Sequence, residues 1–441
     1  MSYLDNILFA IILSFGFGYF ALNVKKLIRN IKLGQDVNRK DNSAERWKNM
    51  AMIALGQSKM VKRPIAGILH IIVYVGFIII NLELLEIIID GLFGTHRAFS
   101  FMGGFYDVLI ASFEILAVLV IIAVIAFWIR RNIIKLKRFV NSDMKAWPKS
   151  DANYILYFEI VLMSLFLIMN ASDYWLQQMD VNHYDQAGSF PISQFIAPLF
   201  NGLSEGVVII IERTAWWLHI CGILVFLNYL YFSKHLHILL AFPNTYFANL
   251  NPQGKFDNLE SVTNEVKLML DPSADPFAAP ANPDAAPAKF GASDVQDLDW
   301  VQLLNAYTCT ECGRCTSSCP ANQTGKKLSP SKIMMDTRDR LEEVGKNIDL
   351  NKGVFVPDNK SLLNDYITPE ELWACTSCNA CVEECPVNIS PLSIIMDMRR
   401  YLVMEQSAAP MSLNAMMTNI ENNGAPWQYN QMDRLNWKDE N

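Results

Sequence analysis

Eight of the nine cysteines fall into two copies of one pattern, C-x-x-C-x-x-C-x-x-x-C-P. The copies are Cys309, Cys312, Cys315 and Cys319, then Cys375, Cys378, Cys381 and Cys385. This spacing is typical of paired 4Fe-4S clusters, because three close thiolates bind one cluster while the fourth, before proline, binds the other. We therefore predict one cluster on Cys309, Cys312, Cys315 and Cys385, and a second on Cys375, Cys378, Cys381 and Cys319.

Two other uses of cysteine fit this pattern less well. Structural zinc also binds C-x-x-C pairs, but a zinc site is complete with four ligands and does not require a repeated run that ends in proline. Disulfides are rare where the cytoplasmic thiol pool keeps cysteines reduced, and the orientation derived below places both runs there. Clusters are therefore the favoured interpretation, and the ninth cysteine, Cys221, is predicted to be a small buried apolar residue.

The first half of the chain carries the residues that would anchor it in a membrane. The 441 residues are 51% hydrophobic, with a mean hydropathy of +0.16. Crossing the roughly 30 Å hydrocarbon core takes about 20 helical residues. We predict five membrane-spanning helices, the first of them retained because it lacks the basic start and the cleavage site of a signal peptide. The segments are Leu4 to Val24, Ile65 to Ile89, Phe105 to Ile129, Tyr154 to Asn170 and Thr214 to Phe232.

The basic residues indicate which side of the inner membrane each loop faces. Loops 25–63 and 130–149 are rich in lysine and arginine, whereas 173–205 has neither and 90–104 has only Arg97. Because basic loops stay in the cytoplasm, we predict that the N-terminus is outside and that everything after the fifth segment is cytoplasmic. The net charge of -7 does not favour nucleic acid as a partner, since nucleic acid selects a basic surface.

The predicted fold is all-α, a five-helix transmembrane bundle followed by a cytoplasmic α-helical ferredoxin domain with two 4Fe-4S clusters. The predicted divisions are a membrane domain at 1–240, an interfacial segment at 241–270, a Pro- and Ala-rich linker at 271–298, a dicluster domain at 299–405 and a polar tail at 406–441. Prolines among alanines favour an extended tether. Within the dicluster domain, apolar periodicity predicts helices at 329–344, 369–374 and 391–404.

Four histidines lie in or beside the apolar segments, where ionisable side chains are costly and usually functional. His219 and His237 are 18 residues apart, so one straight helix would carry both on the same face, about 27 Å apart. This arrangement suits axial ligands of two b haems. We predict that His70 and His237 bind an inner haem, and that His96 and His219 bind an outer haem if Gly91 or Gly94 lets the chain turn back. A protein with one haem is the alternative.

Several carboxylates lie near the predicted outer side of the membrane. Glu83 and Glu86 share one stripe of the second segment, and Glu114 lies in the third. Because quinol oxidation releases protons together with electrons, these three residues are predicted to accept protons from a quinol. Three other acidic residues at helix ends are interpreted as interfacial: Asp90, Asp173 and Glu212.

Two parts of the chain resemble known families. The stretch WLHICGILVFLNYLYFSKHLHILLAFP at 217–243 resembles the last helix of the respiratory nitrate reductase gamma subunit, and 299–330 and 373–400 are similar to the iron-sulfur subunits of heterodisulfide-reductase-like complexes. The resemblance implies a dihaem cytochrome b quinone module fused to a two-cluster ferredoxin module. The gamma subunit has a second histidine on its second helix, where this chain has Ile80. Because the chain has no adjacent cysteine pair, the resemblance also implies a separate cytoplasmic redox subunit with cysteine-rich catalytic repeats.

The function predicted from these features is electron transfer in the membrane. Electrons would pass between the menaquinone or ubiquinone pool, the b haems, the two clusters and the cytoplasmic partner, while the protein sets positions and potentials. The direction of electron flow, and whether this chain itself converts a substrate, are left open. The alternative is a non-catalytic membrane anchor or assembly subunit whose clusters are structural.

Overall fold

The computed structural model describes residues 3–273 and 289–439 of the chain. Within those ranges the backbone forms helices, turns and loops, with two isolated β-bridges and no strand. The all-helical prediction is therefore confirmed for the described residues. The linker predicted at 271–298 lies outside them from residue 274 to residue 288.

Long helices occupy the first half of the chain and short helices the second. In order, the α-helices are α1 Tyr3–Ile31, α2 Ser43–Met50, α3 Pro64–Phe93, α4 Gly104–Asn132, α5 Trp147–Gln178, α6 Ser193–Ile196, α7 Glu205–Tyr229, α8 His237–Tyr246, α9 Glu260–Leu270, α10 Trp300–Thr308, α11 Arg314–Ser317, α12 Pro320–Gln323, α13 Pro330–Leu350, α14 Leu362–Asp365 (a distorted turn), α15 Pro369–Ala374, α16 Ala380–Glu384, α17 Pro391–Met404 and α18 Met411–Asn423. Turns of 3-10 helix occur at Ser100–Met102, Lys137–Phe139, Ser142–Met144, Ala197–Phe200, Leu230–Phe232, Lys234–Leu236, Val295–Asp297 and Gln431–Lys438, and a π-helical turn at Ala51–Leu55.

Among the described residues, five helices are long and apolar enough to cross a membrane, as the hydropathy pattern predicts. They are α1, α3, α4, α5 and α7, the last extended to Phe232 by a 3-10 turn. Each is longer than its predicted apolar segment at one or both ends. Pro64 lies in the first turn of α3, where backbone N–H groups have no partner within the helix, so the N–H that proline lacks costs no hydrogen bond. Gly94 ends α3 in the left-handed conformation, with a φ of 70°.

The five long helices pack closely in one bundle, and glycines mark the closest approaches. A Cβ atom placed on Gly76 of α3 would lie 2.6 Å from the Val120 side chain of α4. A Cβ on Gly91 of the same helix would lie 2.6 Å from the ring of Phe9 in α1. These separations are shorter than ordinary van der Waals contacts, so the helices approach to a distance that a larger residue would prevent.

The last long helix and the segment that carries His237 are not one straight helix. α7 ends at Tyr229, and after a 3-10 turn Ser233 is extended, with φ of -111° and ψ of 148°. The Asp151 carboxylate accepts hydrogen bonds from Ser233 Oγ at 2.7 Å and from Lys234 N at 3.1 Å, which fixes this break. The prediction that His219 and His237 share one face of a continuous helix is therefore wrong, because the chain changes direction between them.

The helices of the cysteine-rich half begin at residues that cap them well. Asp299 and Thr368 form capping boxes at the starts of α10 and α15, and the Ser329 side chain accepts a hydrogen bond in the first turn of α13. Such caps satisfy backbone N–H groups that the helix leaves unpaired. The helices predicted at 369–374 and 391–404 are observed with those bounds, and the helix predicted at 329–344 extends to Leu350.

The cysteine-rich half packs against the end of the bundle where the basic loops emerge. Asn30, in the last turn of α1, donates to Tyr307 Oη at 2.9 Å. In the loop after α1, Gln35 N donates to Leu298 O at 2.8 Å and Gln35 O accepts from Trp300 N at 3.1 Å. The cysteines and the basic loops therefore lie on the same side of the bundle. Beyond this half, α18 in the predicted polar tail has no buried residue.

Candidate functional site

The two cysteine runs share one backbone conformation. In each run the residues on either side of the second cysteine have positive φ angles. These are Glu311 (50°) and Gly313 (67°) in the first run, and Ser377 (56°) and Asn379 (60°) in the second. Residues other than glycine adopt such angles rarely, and they are retained where the surrounding structure fixes them. The repeat in the sequence is thus also a repeat in backbone geometry.

The structure brings together the four cysteines predicted to bind the first cluster. One cavity is lined by Cys309, Cys312, Cys315 and Cys385, together with Cys381 of the second set. Burial raises the pKa of Cys309 to about 12 and that of Cys385 to about 11. A thiol in such surroundings ionises only if cations compensate its charge, as the irons of a cluster would. Ile389 N also donates to Cys385 Sγ at 3.2 Å, a contact of the kind that tunes cluster potentials.

The four cysteines predicted to bind the second cluster are likewise close together. Burial, followed by the proximity of Cys375, Cys319 and Cys378, raises the pKa of Cys381 to about 12. Ser377 N donates to Cys375 Sγ at 3.4 Å. Cys378 is exposed, so this set is open to solvent on one side. Cys319 and Cys385 thus each lie with the other run, the arrangement that the crossed ligand assignment requires.

Basic side chains of the first run and of a bundle loop lie beside the first cysteine set. Arg314 donates to Lys59 O at 3.4 Å and contacts Met60 Sδ at 2.9 Å. Burial lowers the pKa of Arg138 to about 10, although the nearby Cys312 favours its charged form. Positive charge beside a cluster favours its reduced state, since reduction adds a negative charge.

His70 and His237 meet at the end of the bundle that faces the cysteines. Their ring centroids are 6.5 Å apart, close enough for one metal ion between them, given metal–nitrogen bonds of about 2 Å. His237 Nδ1 lies 3.1 Å from Lys234 O, and such a bond leaves Nε2 free to act as a ligand. Burial lowers the pKa of His237, which favours the neutral ring that metals bind. His70 Nδ1 is buried with no hydrogen-bond partner among the described atoms. The pair therefore fits a shared haem iron.

His96 and His219 lie in different surroundings. His219 is buried, with Nδ1 3.0 Å from Leu162 O and its ring against Phe166. Gly94 ends α3 and turns the chain, as predicted, but His96 then lies 3.4 Å from the Asp173 carboxylate and beside the ring of His183. In the part of the chain that the structure describes, no ring contact joins His96 and His219. The outer haem on this pair stays a prediction without the proximity seen for the inner pair.

A second cavity lies at the end of the bundle away from the cysteines, and charged side chains line it. They come from α3, α5, α7 and the loop after α3: Glu83, Glu86, Asp90, His96, Arg97, Asp173, Glu212 and Arg213. Glu83 is 2% exposed, and neither carboxylate oxygen has a hydrogen-bond partner among the described residues. A buried polar group without a partner is costly. A ligand or proton that reaches the cavity would therefore bind most favourably at Glu83.

The other two carboxylates predicted to accept protons have hydrogen-bond donors. Glu86 accepts from Phe99 N at 2.9 Å and from Tyr106 Oη at 3.0 Å. Glu114 is fully buried and accepts from the backbone N–H groups of Ile192 and Ser193 at 2.8 and 3.1 Å. Of the three predicted acceptors, Glu83 is the one whose oxygens are free for a new bond.

The three acidic residues interpreted as interfacial have partners inside the protein. Asp90, Asp173 and Glu212 are all buried. Arg97 turns inward from its loop, where its backbone N–H donates to Asp90 at 2.9 Å and its Nε to Asp173 at 2.8 Å. Arg213 pairs with its neighbour Glu212. These carboxylates can be buried because two arginines accompany them, and buried charges require such partners.

Four functional candidates were missed from the sequence: Arg97, Arg213, Lys234 and Glu311. One signal for the first was present, because Arg97 is the single basic residue in an outer loop that follows a helix with three acidic residues. No local pattern marks Lys234 or Glu311, which are far apart in the chain and meet at the contact between the two halves.

A 4Fe-4S domain is present in the chain. Residues 308–389, which contain both cysteine runs, match the family model described as a 4Fe-4S dicluster domain. With five helices able to cross a membrane, this defines an iron-sulfur protein with a membrane-competent half.

Curated proteins similar to this chain are iron-sulfur oxidoreductases or components of redox complexes. A probable iron-sulfur-binding oxidoreductase FadF of Bacillus subtilis is 31% identical, over 99% of this chain and 61% of the relative. An EtfAB:quinone oxidoreductase of Syntrophomonas wolfei is 27% identical, over 92% of this chain and 55% of the relative. A component of the ferredoxin/F(420)H(2)-dependent CoB-CoM heterodisulfide reductase of Methanosarcina acetivorans is 32% identical, over 24% of this chain and 52% of the relative.

These similarities extend through the membrane-competent half in the first two relatives. The chain spans 61% and 55% of their lengths. No solved structure matches the chain. The resemblance to heterodisulfide-reductase-like iron-sulfur proteins is confirmed, whereas the cytochrome b half of the predicted fusion stays a prediction.

Proposed function

We propose that this chain is a membrane-bound electron-transfer subunit that carries electrons between the quinone pool and a cytoplasmic redox partner. The observation that carries the proposal is the convergence of two sets of four cysteines at the end of a five-helix bundle. A relative over 92% of the chain is named an EtfAB:quinone oxidoreductase, which supports a quinone at one end of the path.

In this proposal the thiolates of the two cysteine sets hold two 4Fe-4S clusters, which exchange single electrons when bound. The first set lies at the contact with the bundle, among the basic residues near Arg314. The second set includes the exposed Cys378, so we assign it to the partner side. The partner is a separate redox protein of the cytoplasm.

We further propose that His70 and His237 hold a b haem at the inner end of the bundle. Their role is to fix the iron from two different elements, one on α3 and one at the start of α8. A second, outer haem is proposed on His96 and His219. Purified protein should then contain one b haem, or two if the outer pair also binds.

At the outer end of the bundle, the proposed role of the carboxylates is to take protons from quinol. Glu83 lines a cavity and has no competing hydrogen-bond donor among the residues described. It is therefore the first acceptor in the proposal, with Glu86 beside it in the same lining. Glu114 instead accepts hydrogen bonds from the backbone N–H groups of Ile192 and Ser193 through Oε2, so that oxygen is already occupied.

Cofactor content is the direct test of the proposal. The full chain, purified anaerobically from membranes, should contain eight non-haem irons and an equal amount of acid-labile sulfide, because each cubane contributes four of each. Its reduced-minus-oxidised spectrum should show a b-type band. An iron content far below eight would overturn the assignment of two clusters.

The inner histidine pair has its own test and control. His70→Ala and His237→Ala should each remove the same b-type band while leaving the non-haem iron content unchanged. Asn182→Ala is the control, because that residue is exposed in the outer loop. A band of wild-type intensity in both the His70 and His237 variants would refute this pair as haem ligands.

A further inference from the structure

The residue that connects the two halves of the molecule most directly is Lys234. Lysines next to membrane segments usually extend into water, yet Lys234 is only 8% exposed. The extended conformation at Ser233 turns it away from the membrane surface and into the protein. Its ammonium group donates to Pro148 O at 2.6 Å and to Glu311 Oε2 at 2.5 Å.

The other partner, Glu311, belongs to the first cysteine run. It lies between Cys309 and Cys312, has a φ of 50°, and is 2% exposed. Its second oxygen accepts from Arg338 Nη2 at 2.8 Å. The Glu311 carboxylate is therefore paired with a cation on each oxygen, Lys234 on one and Arg338 on the other.

Lys234 also contacts the inner histidine through its backbone. Its carbonyl oxygen lies 3.1 Å from His237 Nδ1, and its N–H is held by Asp151 on α5. One residue thus joins His237 through its main chain to the Cys309–Cys312 loop through its side chain. The equivalent position in the second run is Ser377, whose side chain instead contacts Met396.

We propose that Lys234 is a positioning residue for electron transfer, and that its buried ion pair with Glu311 holds the first cluster loop against the segment that carries His237. This rests on the proposed function, since it needs a cluster on the first cysteine set. The ion pair also balances charge beside that cluster. Removal of the ammonium would leave the Glu311 carboxylate less compensated, and negative charge beside a cluster opposes its reduction.

The test compares the midpoint potentials of both clusters in the full-length chain, followed by electron paramagnetic resonance during redox titration. Cys312→Ser and Cys378→Ser identify which signal belongs to which site. Lys234→Met should lower the potential of the first cluster and leave the second unchanged, and Lys234→Arg should restore the wild-type value. Glu311→Gln should shift the first cluster in the opposite direction, upward.

Two controls separate positioning from general damage. Lys62→Met removes an ion pair with Glu383 that also joins the two halves, but both partners are about half exposed, so both potentials should stay unchanged. In the double variant Lys234→Met with Glu311→Gln, the two opposite shifts should largely cancel. If the Lys234→Met protein does not accumulate, the direction of the first-cluster potential shift in Glu311→Gln still tests the inference.

The outcomes that contradict the inference are specific. A first-cluster potential that is unchanged in Lys234→Met and in Glu311→Gln would overturn the positioning role while leaving the proposed function intact. Equal shifts of both clusters, or a shift in Lys62→Met of the same size, would also overturn it. Wild-type protein without two cluster signals would overturn the proposed function and this inference together.

Discussion

At the scale of single residues, Glu83 and Glu114 are two buried glutamates with opposite hydrogen-bond status. The oxygens of Glu83 have no partner among the residues described, whereas Glu114 accepts from two backbone N–H groups and from Asn170. Both are on long helices of the bundle and both are almost completely buried. Glu83 is therefore the glutamate whose oxygens are available to accept a proton, whereas Glu114 stabilises the structure around it.

For Glu83 we predict a functional effect without a structural one. Glu83→Gln keeps the shape but removes the carboxylate that would take a proton, so electron transfer from a quinol analogue to the clusters should slow roughly 10²-fold. Thermal stability, iron content and haem content should match those of the wild type. Turnover at the wild-type rate would exclude Glu83 as the proton acceptor.

For Glu114 we predict the reverse pattern. Glu114→Gln can keep an oxygen toward the N–H groups of Ile192 and Ser193 only by turning its NH2 group toward the Asn170 Nδ2 donor. A buried donor left without an acceptor costs about 1–3 kcal/mol. The midpoint of thermal unfolding in detergent should fall. Quinol-linked turnover by the protein that remains folded should change little. An unchanged midpoint would show that the outer loop does not depend on this carboxylate.

At the scale of elements, the bundle depends on glycines at helix contacts. Gly91 lets α3 approach the Phe9 ring of α1, where an added Cβ would lie 2.6 Å from ring carbons. An aromatic ring in a packed core cannot move aside easily, and overpacking costs typically 1–3 kcal/mol. We predict that Gly91→Val separates α1 from α3 and lowers the thermal midpoint. Gly18→Val is the matched control on α1, because nothing lies within 4 Å of a Cβ there. Equal loss in both variants would argue against the close contact as the cause.

The break between α7 and α8 is the element-scale feature with the largest consequence for the site. A continuous helix would have carried His237 straight on along the axis of α7, by about 1.5 Å for each residue. The extended Ser233, held by Asp151, instead places His237 against His70 and Lys234 against Glu311. Local hydrogen bonding at one residue thus decides which groups meet.

At the scale of the whole molecule, the two candidate sites lie at opposite ends of the bundle. The cysteines and the first histidine pair are at the end with the basic loops, and the carboxylate cavity is at the other. If the basic loops face the cytoplasm, electrons and protons would leave quinol toward opposite sides of the membrane. The membrane potential would then affect turnover.

This arrangement predicts the result of accessibility labelling in intact cells. A membrane-impermeant maleimide should label His183→Cys in the outer loop and should not label Lys135→Cys in the basic loop until the cells are opened. Both variants should be made with Cys221 replaced by serine. Labelling of Lys135→Cys in intact cells would reverse the proposed orientation.

Repeated spacing within one stretch of chain was readable from the sequence. The two cysteine runs, the five apolar segments and the helices at 369–374 and 391–404 all depend on residues that are neighbours along one element. Metal-ligand spacing and helical periodicity are local properties, so they can be recognised without knowledge of the fold. The pairing of His70 with His237 was also predicted, because both lie near the same end of their segments.

Contacts between distant parts of the chain were decided only by the tertiary structure. The sequence did not indicate that Arg97 would turn inward to Asp90 and Asp173, or that Lys234 would reach Glu311. Each of these contacts depends on where a helix ends and which way the next residues point, as at Gly94 and Ser233. A small difference in backbone angles at such a break changes the position of the whole following segment. The partners of a buried charge are therefore fixed only when the helices are packed.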